Sequence, residues 1–149
     1  MPFFGVPFLN GGINMFLGQI NNYLIPTGMA NTVIPIKTVR NTNDRIVNKK
    51  GVISFLKDGN YDIDATISVS ATTTQNVNVS IFTDDGVRVN IPATIPAPPT
   101  GEEVGIANVS LVDAIKIILT KYCSVANIYI GVDQSDVTVN GQIRIEHVR

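Results

Sequence analysis

The sequence predicts an all-β protein built as an antiparallel sandwich or jelly roll. Three observations favour this fold class. Segments beyond about residue 36 alternate apolar and polar side chains with period two, turn signals recur at short intervals, and no convincing helical pattern follows. We count about eight to ten short strands, and 149 residues suit a single well-buried domain. One β domain preceded by an N-terminal segment is therefore expected.

The first 36 residues form a segment without any charged side chain. It holds four of the six phenylalanines, and Lys37 is the first charged residue. Apolar residues from Ile13 to Leu24 recur at helical spacing, which predicts a short amphipathic helix after an extended start. Because a helix of about a dozen residues is marginal in water, this helix needs a surface to lie against.

This charge-free segment fits neither a secretory signal nor a membrane anchor. No Lys or Arg precedes Lys37, whereas a signal peptide starts with basic residues. Polar residues interrupt the apolar run, whereas a spanning helix needs about 20 consecutive apolar residues. We therefore interpret residues 1–36 as an anchoring or docking segment that binds protein, and residues 37–149 as the jelly-roll domain. The expected anchor residues are apolar: Phe3, Phe4, Phe8, Ile13, Phe16, Leu17, Ile20 and Leu24.

The strands of the domain can be placed from their alternation. In the run from Tyr61 to Val69 the odd positions are apolar and the even positions are polar, as in a half-buried strand. The same alternation occurs on both sides of Asp85-Gly86, a dipeptide typical of hairpin turns. From Pro92 onward four prolines predict an extended crossover outside the sheets. Further strands are predicted over residues 108–111, 114–119, 128–132 and 137–147.

No pattern of catalytic residues is present. The one histidine, His147, has no local nucleophile motif to serve, and a lone histidine in a strand is more often a packed or interface residue. The one cysteine, Cys123, excludes an intrachain disulfide, and its apolar surroundings suggest a buried thiol. We predict no enzymatic activity and no cofactor.

Metal, nucleic-acid and membrane binding are also disfavoured. The aspartate clusters lack the ligand spacing of a known calcium loop, and aspartate commonly starts turns, so no metal site is predicted. The net charge of −1 leaves no basic stripe for a phosphate backbone. The clusters concerned are Asp62 with Asp64, Asp84 with Asp85, and Asp133 with Asp136.

Three segments carry a family resemblance. FLKDGNYDIDATISVSA has the order aromatic, glycine, aromatic in Phe55, Gly59 and Tyr61, NVNVSIFTDDGVRVN has a central hairpin, and VTVNGQIRIEHVR ends the chain as an alternating strand. With these segments, the stretch from Asn41 to Arg149 resembles the jelly rolls of tumour necrosis factor and the complement C1q heads. It is more similar still to the simplified versions in bacterial surface filaments and in fibres or decorations of tailed-phage heads.

The resemblance implies a homotrimer closed by heterologous contacts through the aromatic and aliphatic face of one sheet. That face serves as either the trimer interface or the core, and its residues are Tyr61, Ile63, Ile67, Val69, Val139, Ile143, Ile145 and His147.

Together with the anchoring segment, the resemblance implies a structural virion protein, a head fibre or auxiliary decoration protein of a tailed phage, assembled in the host cytoplasm. Residues 1–36 would bind the capsid shell or another virion protein, and their removal would leave a folded domain. The alternative is a carbohydrate- or receptor-binding module on a phage tail or bacterial surface, with a host-surface glycan as partner.

Overall fold

The computed structural model describes residues 15–120 and 126–148, and the structure of this part of the chain consists of strands and loops without a helix. No helix capable of crossing a bilayer is therefore found in it. The ten strands are β1 (Met15–Leu24), β2 (Lys37–Asn41), β3 (Ile46–Lys49), β4 (Val52–Phe55), β5 (Gly59–Ala71), β6 (Gln75–Thr83), β7 (Gly86–Ile95), β8 (Gly105–Ile117), β9 (Ala126–Val132) and β10 (Thr138–His147).

The strands form two five-stranded antiparallel sheets that pack face to face. Sheet I has the order β2-β1-β10-β5-β8, and sheet II has the order β3-β4-β9-β6-β7. From β7 onward the chain changes sheet at every connection, so strands that are neighbours in sequence face each other across the core. This connectivity confirms the predicted antiparallel jelly-roll sandwich.

Side chains that alternate along the strands fill the space between the sheets. In β5 every odd position from Tyr61 to Ala71 is buried. The even positions from Asp62 to Thr66 are exposed, and Ser68 is half-buried. In β6 Val77, Val79 and Ile81 face them from sheet II. Burying one such side chain contributes about 1.5–3 kcal/mol relative to exposure. The period-two pattern therefore identified the inward face of these strands correctly.

The helix predicted from Ile13 to Leu24 is wrong over its described part, because Met15–Leu24 form β1. A β-bulge explains the error. The pairing of β1 with β10 shifts between Ile20 and Tyr23, where Asn22 adopts a φ of 42° and its N–H donates to Asn140 Oδ1 at 2.8 Å. Because of the bulge, the inward-packing side chains of Ile20 and Tyr23 are three positions apart in sequence, a spacing that also occurs along one face of a helix.

The sandwich therefore includes part of the segment that we assigned to anchoring. β1 lies between β2 and β10 in sheet I. Three isoleucines of the connection from β1 to β2, Ile25, Ile34 and Ile36, are also buried in the core. Removing residues 1–36 would take a strand out of the sheet, so the expectation of a folded remainder no longer holds. Of the predicted anchoring segment, residues 1–14 are the part that precedes the sandwich strands.

The proline-rich crossover starts later than predicted. β7 continues to Ile95, and Pro92 lies within it opposite Asn78. β7 is an edge strand of sheet II, where one side of the backbone has no ladder partner and a proline is tolerated. The connection to β8 is therefore confined to residues 96–104.

One ion pair links the adjacent edges of the two sheets. Arg88 of β7 donates from Nε to Asp113 Oδ2 at 2.9 Å and from Nη2 to Asp113 Oδ1 at 3.2 Å. Nη2 also reaches the carbonyl oxygen of Ala114 at 3.2 Å, on the strand β8. The hydrogen bond to Asp113 raises the pKa of Arg88 further. This bidentate contact holds β7 against β8 on one side of the sandwich.

Candidate interaction surfaces

The start of β1 defines one end of the sandwich, which we call the proximal end. Met15 pairs with Glu146 near the end of β10, and its carbonyl oxygen accepts a hydrogen bond from the Thr42 N–H at 2.9 Å. β5 starts and β8 ends at this same level, where Gly59 pairs with Ile117. β1 therefore begins at the proximal end.

The proximal end exposes three apolar side chains. Leu56, Ile118 and Val148 are 39, 64 and 46% exposed. They surround the loop that contains Asp58, whose carboxylate accepts a hydrogen bond from the Leu119 N–H at 2.7 Å. The end of the sandwich at which β1 begins is thus partly apolar.

The structure separates the predicted anchor residues into three groups. Phe16 and Ile20 are core residues with 0 and 2% exposure, Leu17 is half-buried on the outward face of sheet I, and Leu24 is 57% exposed at the opposite end of β1. Neither Phe16 nor Ile20 is accessible to a partner. The remaining predicted anchor residues, Phe3, Phe4, Phe8 and Ile13, lie outside the described part of the chain. Cys123 also lies outside it.

The residues predicted to form either a trimer interface or the core lie in the core. Seven of them point between the two sheets with 0 or 1% exposure, and His147 is half-buried. Since they are covered by the other sheet of the same chain, they cannot line a contact between copies. The seven are Tyr61, Ile63, Ile67, Val69, Val139, Ile143 and Ile145.

Three rings pack together near the proximal end. The ring centroids of Phe55 and Tyr61 are 4.6 Å apart, and those of Tyr61 and His147 are 5.3 Å apart. The Tyr61 hydroxyl donates to the Lys57 carbonyl oxygen at 2.8 Å, whereas the buried His147 Nε2 has no hydrogen-bond partner among the described residues. The geometry assigns His147 a packing role.

The buried phenol of Tyr61 makes stability fall at alkaline pH. Burial raises the pKa of Tyr61 above its ordinary value of 10.0, although Arg45 counteracts part of this effect. As the pH rises, the unfolded chain therefore loses the phenol proton before the folded chain does. The contribution of Tyr61 to the free energy of unfolding is full below about pH 10 and decreases as the pH rises through the folded-state pKa. Urea unfolding at about pH 8 and about pH 11 measures this effect. Between these two pH values, the free energy of unfolding should decrease more for wild type than for Tyr61→Phe. Equal losses in the two proteins would contradict this assignment.

The outward face of sheet I carries side chains from all five strands in transverse rows. The strand registers place residues of neighbouring strands side by side, and each row extends from β2 or β1 across to β8. The first row is Lys37, Gln19, Gln142, Thr66 and Ser110; the second is Arg40, Leu17, Arg144, Asp64 and Val112; and the third is Met15, Glu146, Asp62 and Ala114.

One side of this face is acidic. We call it the acidic groove, a depression of about 550 Å³ whose carboxylates are Asp62, Asp64, Asp113 and Glu146. Arg144 also lines the groove and lies 3.5 Å from Glu146. Asp62 and Asp64 form no ion pair with a described residue. Arg144 also lies opposite Asp64 in the strand register, and Asp113 is paired with Arg88, so the groove keeps a net negative charge. Val112 is 69% exposed beside it.

The β2 margin of sheet I is basic. We call it the basic edge: Lys37 and Arg40 lie on β2, and the neighbouring Lys49 and Lys50 lie at the end of β3 and in the turn that follows, which belong to sheet II. All four are exposed, and none forms an ion pair within the described ranges. The Cα of Gly51 packs against Pro35, which holds this turn beside the start of β2.

Away from the proximal end, the three middle strands of this face, β1, β10 and β5, carry uncharged side chains. A shallow depression of about 290 Å³ lies there, lined by amide and hydroxyl side chains. Such side chains are less costly to remove from water than charged ones. Its polar lining residues are Gln19, Asn21, Thr66, Ser68, Asn140 and Gln142.

Two of the aspartate clusters serve the fold. The Asp84 carboxylate accepts from the backbone N–H of Asn127 at 3.0 Å and from its side-chain amide at 3.1 Å. Asp133 accepts from the N–H and side-chain amide of Asn78 at 2.7 and 2.8 Å. No group of three or more His, Cys, Asp or Glu placed to hold a metal ion is found in the described part of the chain.

Comparison with solved structures identifies the fold. No protein-family model matches the sequence, and no curated protein sequence matches it significantly. Solved structures do match: PRD1 vertex protein P5 has a TM-score of 0.52 at 14% identity, covering 92% of this chain and 98% of that chain. The fold is a tumour-necrosis-factor-like jelly roll.

A second structure with this jelly roll is that of murine APRIL at pH 5.0, which matches with a TM-score of 0.59 at 8% identity and covers 87% of this chain and 98% of that chain. The jelly-roll prediction is confirmed. The transverse rows could not be predicted, because the pattern of one strand does not show which strands will lie beside it.

Proposed function

We propose that the protein is a structural component of a virion, a trimeric head fibre or capsid decoration protein of a tailed phage. Residues 1–14 attach it to the capsid shell or another virion protein, and the jelly roll projects outward. The observation that carries this proposal is that β1 begins at Met15 at the end of the sandwich where Leu56, Ile118 and Val148 are exposed. The similarity to a vertex protein over 92% of the chain supports it.

The composition of residues 1–14 suits attachment to protein. The segment has no charge and includes Phe3, Phe4 and Phe8. Transfer of a large apolar side chain from water to a protein surface is favourable by about 1.5–3 kcal/mol. In a trimer three such segments act together, which strengthens attachment without any additional contact.

Deletion of residues 1–14 tests the attachment. Because β1 starts at Met15, the shortened protein should keep its circular dichroism spectrum and melting temperature. Its binding to particles that lack the protein should fall by about tenfold or more, since attachment depends on the apolar segment. The control is the full-length Phe3→Ser, Phe4→Ser, Phe8→Ser variant, which keeps the length of the segment and should also lose binding.

Full decoration of particles by the shortened protein would overturn the proposal. Binding of both proteins to host-surface glycans, with no binding to particles, would favour the carbohydrate-binding alternative instead. Copy number on particles can be measured by quantitative gel densitometry.

A further inference from the structure

We propose that the outward face of sheet II binds a neutral oligosaccharide, an extended chain of β-linked pyranose rings. This function goes beyond the proposed role in a virion, because it assigns a ligand to a surface that has no part in the proposed attachment. Two features carry the inference: an aromatic pair on β6 and β9, and a row of amide and hydroxyl side chains that continues from this pair along β6 and β7.

The aromatic pair consists of Phe82 on β6 and Tyr129 on β9, which are opposite each other in the strand register. Their rings are stacked, with a centroid distance of 5.5 Å and an interplanar angle of 13°, and both side chains are half-buried. The pair lies on the outward face, because the preceding register pair, Ile81 and Ile130, is buried in the core. The negative face of an aromatic ring attracts the C–H groups on one face of a pyranose ring.

Gly131 makes room for this pair. It lies on the outward side of β9, two residues after Tyr129 and opposite Ser80. A Cβ at Gly131 would lie 2.5 Å from Cε2 of Phe82, so the Phe82 ring occupies the space that a side chain would fill. Val87, opposite Phe82 on β7, is 58% exposed and extends the apolar area.

Hydrogen bonds connect polar side chains into a row that starts beside the aromatic pair; we call it the amide row. Ser80 Oγ donates to Asn90 Oδ1 at 2.9 Å, and Asn90 Nδ2 donates to Asn78 Oδ1 at 3.4 Å. Asn78 Nδ2 in turn donates to Asp133 Oδ2 at 2.8 Å. The members of the row are Ser80, Asn90, Asn78, Asp133, Asn76 and Thr94.

The far end of the amide row still offers hydrogen-bonding groups to a ligand. Thr94 Oγ1 donates to Asn76 Oδ1 at 3.0 Å, which orients this amide, while Asn76 Nδ2 donates to no described residue. Asn90 is exposed and uses one of its two amide hydrogens within the row. Amides both donate and accept, as sugar hydroxyls do. Preoriented amides beside stacked rings therefore match the chemistry of a saccharide.

The charge of the amide row favours a neutral ligand. Asp133 is its one charged member, and this carboxylate forms no ion pair with a described residue. An anionic sugar or a phosphate group would be repelled by the carboxylate and would find no cation in the row. A neutral sugar has hydroxyl groups that donate to a carboxylate oxygen.

The shape of the surface favours an extended chain. Phe82 and Asn76 are about 20 Å apart along β6, at about 3.3 Å per residue, and the amide row follows this strand. A β-1,4-linked pyranose chain is extended, so one ring can stack on the aromatic pair while the next rings follow the row. An α-1,4-linked chain coils and would leave this line.

Titration of the full-length protein with cellohexaose and with chitohexaose, followed by nuclear magnetic resonance, tests the inference. At least one of these neutral β-1,4-linked sugars should bind with a dissociation constant of about 1 mM or lower. The largest chemical-shift changes should occur in β6, β7 and β9. Absence of binding by both sugars at about 10 mM would overturn the inference.

Substitutions in the surface separate its two features. Phe82→Ala and Tyr129→Ala should each weaken binding about three- to tenfold, because a stacking ring is lost. Asn90→Ala should weaken it to a similar extent, about three- to tenfold, through loss of hydrogen bonds. Gly131→Ala should also weaken binding although both rings remain, since the added Cβ displaces the Phe82 ring. Thermal melts verify that each variant is folded.

Two control variants should bind as wild type does. Tyr129→Phe keeps the stacking ring, and Asn108→Ala removes an exposed asparagine from β8 of sheet I. Equal weakening by Asn108→Ala, or unchanged binding by both Phe82→Ala and Tyr129→Ala, would overturn the proposed site. Tyr129→Ala should still attach to particles, so a failure of sugar binding and a failure of the virion role give different results.

Discussion

Deletion of residues 1–36 should abolish folding of the β domain. The deletion removes β1, which pairs with β10 on one side and β2 on the other. It also removes five buried side chains, each contributing about 1.5–3 kcal/mol, and their sum of roughly 7–15 kcal/mol is comparable to the net stability of about 5–15 kcal/mol for a typical domain. The side chains lost are Phe16, Ile20, Ile25, Ile34 and Ile36.

Urea or thermal unfolding followed by circular dichroism measures this effect. The protein without residues 1–36 should show no cooperative transition, whereas the protein without residues 1–14 should unfold as wild type does. A cooperative transition in the longer deletion would show that β1 is dispensable, as expected if it were a separate docking helix.

Substitution Phe16→Ala should cost about 3–5 kcal/mol of unfolding free energy. Phe16 is fully buried, and its ring lies 2.9 Å from the position that a Cβ on Gly18 would occupy, so it packs tightly within its own strand. Leu24→Ala is the matched control in the same strand, because Leu24 is 57% exposed and its truncation should change stability by less than about 0.5 kcal/mol.

Chemical denaturation of the two variants separates the two interpretations of this segment. If both residues belonged to a docking helix, neither truncation would destabilise the domain. Equal, small effects would therefore contradict the placement of β1 in the core, and a large effect of Phe16→Ala alone would support it.

Local signals predicted most of the jelly roll. The alternation from Tyr61 to Val69 marks a half-buried strand because successive side chains of a strand point to opposite faces. The turn at Asp85-Gly86 was also identifiable: Thr83 pairs with Gly86 across it, and Gly86 has a φ of 119°, which glycine adopts readily. Such features depend on only a few neighbouring residues.

The prediction failed where the structure depends on distant residues. β1 pairs with β10, and the Asn22 N–H that marks its bulge bonds a residue 118 positions away. Nothing near Asn22 in sequence reveals that partner. The helical spacing of apolar residues was real, but a bulge in a strand produced it.

The interaction surfaces were hidden for a related reason. Alternation shows which residues share one face of a strand, but it does not show which strands lie side by side. Arg40 and Asp64 belong to one transverse row only because β1 and β10 lie between their strands. For the same reason the sequence could place Ile143 and Ile145 on one face of their strand, but it could not show whether that face lies in the core or at an interface.

The mass of the native assembly, in solution and on particles, tests the central claim most directly. Native mass spectrometry of the free protein should give three times the 16.1 kDa mass of the chain, and copies bound to particles should occur in groups of three. A monomer both in solution and on particles would contradict the account of a trimeric virion protein.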